Sequence, residues 1–131
     1  CNYRILPDVD MTQVVFWTRT RPADDGFTVY PDRLRVLYSP TGDKTPGDCD
    51  SSFGDFTQEL AVINPNLTVD GYPLKAWEEF TVNIPGPGRV AFVYHVTDAG
   101  AMGNNSSYIG IDTVSWTEWE DVIFANGFEL E

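Results

Sequence analysis

The feature that most constrains this chain is a two-residue alternation of apolar side chains, repeated in short bursts, with no sustained 3.6-residue period anywhere. Side chains on an extended strand point to opposite faces in turn, so this pattern calls for β-structure. It is clearest from Arg89 to Trp116, RVAFVYHVTDAGAMGNNSSYIGIDTVSW, which reads as strand, polar loop, strand. In the first strand Val90, Phe92, Tyr94 and Val96 share one face, and Ala91, Val93, His95 and Thr97 the other. In the second, Ile109, Ile111 and Thr113 share one face, and Tyr108, Gly110, Asp112, Val114 and Trp116 the opposite one. Both faces carry apolar residues, so both strands are expected to be central and covered on both sides or nearly so. The loop from Asp98 to Ser107, rich in Gly, Asn and Ser, belongs at a rim, where its backbone can be solvated. Asp112 is the one charge inside the second strand and needs a hydrogen-bond donor or a cation.

The same alternation marks Met11 to Thr20, with Val14, Phe16 and Thr18 facing one way and Val15, Trp17 and Arg19 the other. Asp32 to Ser39 turns Leu34, Val36 and Tyr38 inward. Trp77 to Ile84 is half-exposed, with Phe80, Val82 and Ile84 opposite Trp77, Glu79, Thr81 and Asn83. Phe56 to Ile63 is apolar but mixed in period, a strand or a short turn, and residues 1–10 read as an extended entry. Pro, Gly, Asn and Asp punctuate the connections, and the longest, Pro40 to Asp55, is expected to be functional or mobile. Short strands at this spacing mean an all-β sandwich, one domain over 1–131, with 117–131 as a C-terminal tail.

At 131 residues the chain is long enough for a real core. Its 20 acidic residues against 8 basic ones give a net charge of −12, which excludes a nucleic-acid backbone or an anionic membrane surface as partner. No run approaches the roughly 20 apolar residues of a membrane span, so no membrane insertion is expected. No signal peptide is read, so a mature or trimmed chain is expected. The acidic balance fits an extracellular protein and makes divalent cations plausible counter-ions. Cys1 and Cys49 admit two readings: a bond tying the amino terminus to a loop, or two free thiols.

The strings FWTRT (16–20), PDRLRVLYS (31–39), GDFTQELAVINP (54–65), GYPLKAWEEFTVNIPG (71–86), GRVAFVYHVTDAG (88–100) and NSSYIGIDTVSW (105–116) occur in an order that resembles the choice-of-anchor J domain of bacterial surface proteins. That family is related to cleaved-adhesin domains and MAM-type jelly rolls. The final IFANGFE (123–129) resembles a short tail of exported proteobacterial proteins. The resemblance implies a jelly-roll β-sandwich of two antiparallel sheets, a secreted or cell-surface location, and adhesion or ligand binding without catalysis. It also implies a bound calcium of structural role, for which Asp112 in YIGIDTV matches the part of the pattern present here. Family members carry a further stretch ahead of the FWTRT strand, of which this chain has little. An unpaired sheet edge is therefore expected, open to dimerisation or strand addition.

The ligand candidates follow from chemistry. Asp98, Asn104 and Asn105 in the long loop, with Tyr108 at its end, offer planar donors and acceptors suited to a glycan or a cell-surface protein. Of the four Trp, Trp77 and Trp119 near element ends are the better stacking surfaces for a sugar, whereas Trp17 and Trp116 within strands are expected to pack between sheets. Asp24-Asp25-Gly26 and Asp48 to Ser52 read as solvated turns. His95 is the only histidine, and no nucleophile-elbow, zinc-protease or phosphate-loop motif occurs, so no enzyme is expected. A carbohydrate-binding module attached to a hydrolase and a ligand-free spacer are the alternatives.

Overall fold

The structure is a computed structural model and describes residues 1–20, 30–99, 103, 105, 106 and 108–119. Among these residues the chain forms seven strands: β1 (Asn2–Ile5), β2 (Met11–Thr20), β3 (Leu34–Ser39), β4 (Gln58–Ile63), β5 (Glu78–Asn83), β6 (Arg89–Tyr94) and β7 (Ile109–Glu118). They make a four-stranded sheet in the order β1-β6-β3-β4 and a three-stranded sheet in the order β5-β2-β7. Every pairing is antiparallel. Only the β3–β4 link stays within one sheet; each other connection crosses between layers, the habit of a jelly-roll β-sandwich. The all-β sandwich expected from the alternation is the fold.

The core lies between the sheets. Val14 and Phe16 of β2 meet Leu34, Val36, Val90 and Phe92 of the facing sheet, with Val82 beside them. Phe16 packs edge-on against Phe92, with ring centroids 4.8 Å apart. The alternation of β2 holds as read: Val14, Phe16 and Thr18 are buried, and Val15, Trp17 and Arg19 face out. Residues 1–10 do more than enter: Asn2 to Ile5 add a strand to β6, and Leu6 continues the pairing through its N–H to the Val90 carbonyl at 2.9 Å.

The outer face of the four-stranded sheet has a second core. Leu37, Ala91 and Val93 meet Phe56 and Cys49, with Tyr3, Ile5 and Phe53 at its margin. The connection between β3 and β4 supplies this cover, so the long loop is a structural lid on the sheet. Cys1 and Cys49 are bonded, which settles the open choice and fastens the start of β1 to that loop. Within the loop Asp48 accepts hydrogen bonds from the Ser51 N–H, the Ser51 hydroxyl and the Ser52 N–H, which hold its carboxyl below the usual carboxylate range. Such a closed turn is local bracing.

Two expectations are corrected. β6 is buried on both faces, but β7 is not: it is the edge of the three-stranded sheet, and Asp112, Thr113 and Ser115 are exposed. The faces of β7 also differ from a straight count. Opposite β2 the register slips between Val15 and Trp17, where Thr113 takes a left-handed φ of 52°. This bulge inserts one residue and resets the phase, so Val114 and Trp116 join Ile109 and Ile111 against the core while Asp112 points away.

Candidate functional site: the bare sheet face

The outer face of the three-stranded sheet carries no such lid among the described residues. Its middle row runs Glu79, Trp17, Asp112 across β5, β2 and β7. One row further, Arg19 is paired with Gly110, and Trp77, just ahead of β5, brings its ring to that row. Trp17 is 36% exposed and Trp77 41%. The Trp77 indole reaches across to β7, where a Cβ on Gly110 would come within 2.7 Å of its ring; a side chain there would push the ring off the sheet. Arg19 is tethered at the edge, its Nη2 donating to the Leu74 carbonyl at 3.2 Å. The remaining rows hold Thr81 and Ser115 about Val15, then Asn83 and Thr117 about Gln13, with Gln13 Nε2 donating to Asn83 Oδ1 at 3.4 Å. The result is a patch of two indoles bordered by carboxylates, amides and hydroxyls.

This placement overturns the expectation that Trp17 packs between the sheets. Residue type suggested burial, but β2 gives its inner positions to Val14 and Phe16, and the odd-numbered face is turned outward. Trp116 does pack against the core, and Trp77 and Trp119 are exposed.

At one end of the sandwich the inner face closes on a buried polar network around Asp32, which is fully buried. Thr20 Oγ1 donates to one carboxylate oxygen and the Tyr94 hydroxyl to the other, while Ser106 Oγ lies 2.9 Å from the Tyr94 hydroxyl. Nearby the Tyr72 and Thr18 hydroxyls are 2.8 Å apart, and Thr18 donates to the Gly110 carbonyl at 2.6 Å. Burial pushes both the Tyr72 and the Tyr94 phenols well above the ordinary tyrosine range, so both remain donors at neutral pH. The network clamps β2, β6 and the start of β7 at the base of the rim loop. Nothing in the sequence marked Asp32, because its partners are scattered along the chain.

His95 lies beside two arginines. Arg35 Nε donates to His95 Nδ1 at 3.2 Å, Arg33 Nε donates to the His95 carbonyl at 2.8 Å, and Nε2 is buried with no partner among the described residues. Burial first, then Arg33 and Arg35, pull its pKa below the ordinary histidine value. A neutral ring with one nitrogen occupied and the other enclosed is poorly placed to take a proton from a substrate.

A cleft of about 910 Å³ opens between the edges of β1 and β7, floored by Leu6, Leu34, Phe92, Ile109, Ile111 and Val114. Among the described residues each of these edge strands has one hydrogen-bonded neighbour, whereas β4 and β5 approach each other on the opposite side of the sandwich. A second cleft of about 520 Å³ lies by that closed side, lined by Ile63, Tyr72, Lys75, Glu78 and Phe80 among others.

The structure divides the ligand candidates into two places. Trp77 and Asp112 share the bare sheet face in adjacent rows. Asp98, Asn105 and Tyr108 sit at the rim, with Tyr108 also lining the larger cleft. The Asp98 carbonyl accepts from the Asn105 N–H at 3.0 Å, and Asn105 Nδ2 donates to the Thr97 carbonyl at 2.8 Å, so Asn105 braces the loop. Asn104, Asp24, Asp25, Gly26 and the IFANGFE segment lie outside the described residues. Asp112 is exposed and accepts from the Thr113 N–H at 2.8 Å. Among the described residues no cluster of three or more His, Cys, Asp or Glu could hold a metal, so these residues alone do not build the six to eight oxygens that calcium takes. No long apolar helix able to cross a membrane occurs among them either. No protein-family model, curated protein or solved structure matches this chain.

Proposed function

We propose that this chain is a non-catalytic binding module of a secreted or cell-surface bacterial protein, of the choice-of-anchor J kind, and that it holds its ligand on the bare face of the three-stranded sheet. The observation that carries this reading is the outward pair Trp17 and Trp77, large apolar surfaces kept in solvent where the strand could have carried polar residues. The Cys1–Cys49 bond supports an oxidising compartment. The geometry of His95, with Nδ1 accepting from Arg35 and Nε2 enclosed, supports binding without turnover. A structural calcium belongs to the reading only if loop residues outside the described ones complete a shell near Asp112. In that case added Ca²⁺ raises the melting temperature, chelator lowers it, and Asp112→Asn abolishes the response.

Retention on a panel of surfaces tests the proposal: intact cells, insoluble polysaccharides and extracellular-matrix proteins. Wild type is retained on at least one and the ligand is recovered chemically unchanged. The Trp17→Ala/Trp77→Ala double variant melts at the same temperature and washes through. Equal retention of both proteins, or ligand turnover, contradicts the proposal.

A second reading is favoured by the larger cleft. Backbone on β1 and β7 that no described strand pairs, beside an apolar floor, is what an added strand requires. The net charge of −12 opposes a second copy of this chain, so the added strand would come from a less acidic protein.

A further inference from the structure

The geometry points to a neutral glycan chain as the ligand of the Trp17–Trp77 face, with at least two sugar rings stacked on the two indoles. The inference rests on the binding-module reading and gives it a ligand class.

Three observations favour it. The first is shape. Trp17 stands in one row and the Trp77 ring covers Gly110 in the next, rows about 7 Å apart along the strand direction. Gly110 leaves the Trp77 ring free to lie across β7. Neither of the two clefts described above is lined by either tryptophan, so the rings stand apart from both. Planes suit the C–H face of a pyranose; an apolar side chain of a protein partner wants a hole to fill.

The second is the polar border. Glu79 and Asp112 flank Trp17 on its two neighbouring strands and present carboxylate oxygens as acceptors. Sugar hydroxyls are donors arranged in pairs around the ring edge, and a carboxylate accepts two of them at once. Thr81, Ser115, Thr117, Gln13 and Asn83 continue the face with neutral groups that both donate and accept.

The third is charge. The only cation in the two tryptophan rows is Arg19, and its guanidinium already donates to the Leu74 and Thr20 carbonyls. With two carboxylates on the face and a net charge of −12 behind them, uronate, sulfated or sialylated chains are repelled. A cationic polypeptide satisfies the charge but has no use for the neutral rows. It would also be held by forces that salt screens, whereas stacking and hydroxyl hydrogen bonds are not.

Affinity electrophoresis and a printed array decide between these. The probes are neutral polysaccharides (β-glucan, mannan, galactan), anionic polysaccharides (pectin, heparin) and polylysine, at about 0.05 M and about 0.5 M NaCl. The expected result is retardation by at least one neutral polysaccharide, equal at both salt concentrations, and none by the anionic ones. Trp77→Ala and Trp17→Ala each weaken it about tenfold or more, and Glu79→Gln weakens it less, all with unchanged melting temperature. Tryptophan-dependent binding to polylysine alone, lost at high salt, overturns the glycan class and leaves the binding-module reading standing. If no probe binds in a tryptophan-dependent way, while the surface panel still retains the wild type through these residues, the glycan class is again wrong. If the panel fails as well, both readings fall.

Discussion

The two outer faces of the sandwich are built alike and finished differently. On the four-stranded sheet, Leu37, Ala91 and Val93 point outward and are covered by Phe53, Phe56 and the bonded Cys49. On the three-stranded sheet, Val15, Trp17 and Trp77 point outward, and among the described residues no segment folds over them. An apolar side chain left in solvent forgoes the stabilisation that burial brings, so a face that keeps two indoles exposed is retained for something other than folding. One face is spent on stability, and the other is left uncovered among the described residues.

That contrast breaks first at Phe56. Truncating this buried ring in Phe56→Ala is expected to cost about 3–5 kcal/mol in denaturant unfolding, while Trp17→Ala on the bare face changes stability by about 0.5 kcal/mol or less. Similar losses at both sites would erase the distinction. Next comes the covalent tie. Cys1 and Cys49 are separated by 48 positions, and replacing both with Ser is expected to destabilise by about 2–4 kcal/mol, because the unfolded chain regains the freedom the closed loop denied it. The same substitution leaves ligand retention by the bare face unchanged if the two faces work independently.

A smaller effect is expected at the rim. Thr20→Val removes one of the hydroxyl donors to the buried Asp32 carboxylate and costs about 1–3 kcal/mol, read from the unfolding midpoint at neutral pH. The smallest is a pH dependence. His95 has a folded-state pKa below its unfolded value, so between the two the unfolded chain binds more protons and stability rises with pH. Its contribution is full above about pH 6.5, the unfolded histidine value, and is lost as pH falls through the folded value. Comparing His95→Gln with wild type from pH 5 to pH 7, about the span over which histidine titrates, isolates this effect: the wild-type curve falls more steeply towards acid. A steeper fall in the variant would contradict the assigned direction.

Much of the sandwich was legible because period-two alternation is a local signal. The buried and exposed sides of β2 and β5 follow from it directly, as does the inward row Leu34, Val36 and Tyr38 of β3. What the sequence hid depends on partners distant in the chain. The polar stretch after β3 reads as functional or mobile because Phe53 and Phe56 gain meaning only when β6 presents Ala91 and Val93 to them. The faces of β7 were misphased because a bulge at Thr113 carries no glycine to announce its left-handed backbone. Trp17 was assigned to the interior from its type, although its position in the alternation already turned it out. For the site, Trp77 was legible as an exposed ring, but its company with Trp17, Glu79 and Asp112 required the register of three strands.

The central claim is that Trp17 and Trp77 stand exposed on one face while Phe56 on the other is sealed. Hydroxyl-radical footprinting read by mass spectrometry compares them in a single sample. The account predicts rapid oxidation of Trp17 and Trp77 and slow oxidation of Phe56 and Phe16 in the free protein. Trp17 protected to the level of Phe16, or Phe56 oxidised as fast as Trp77, would contradict it.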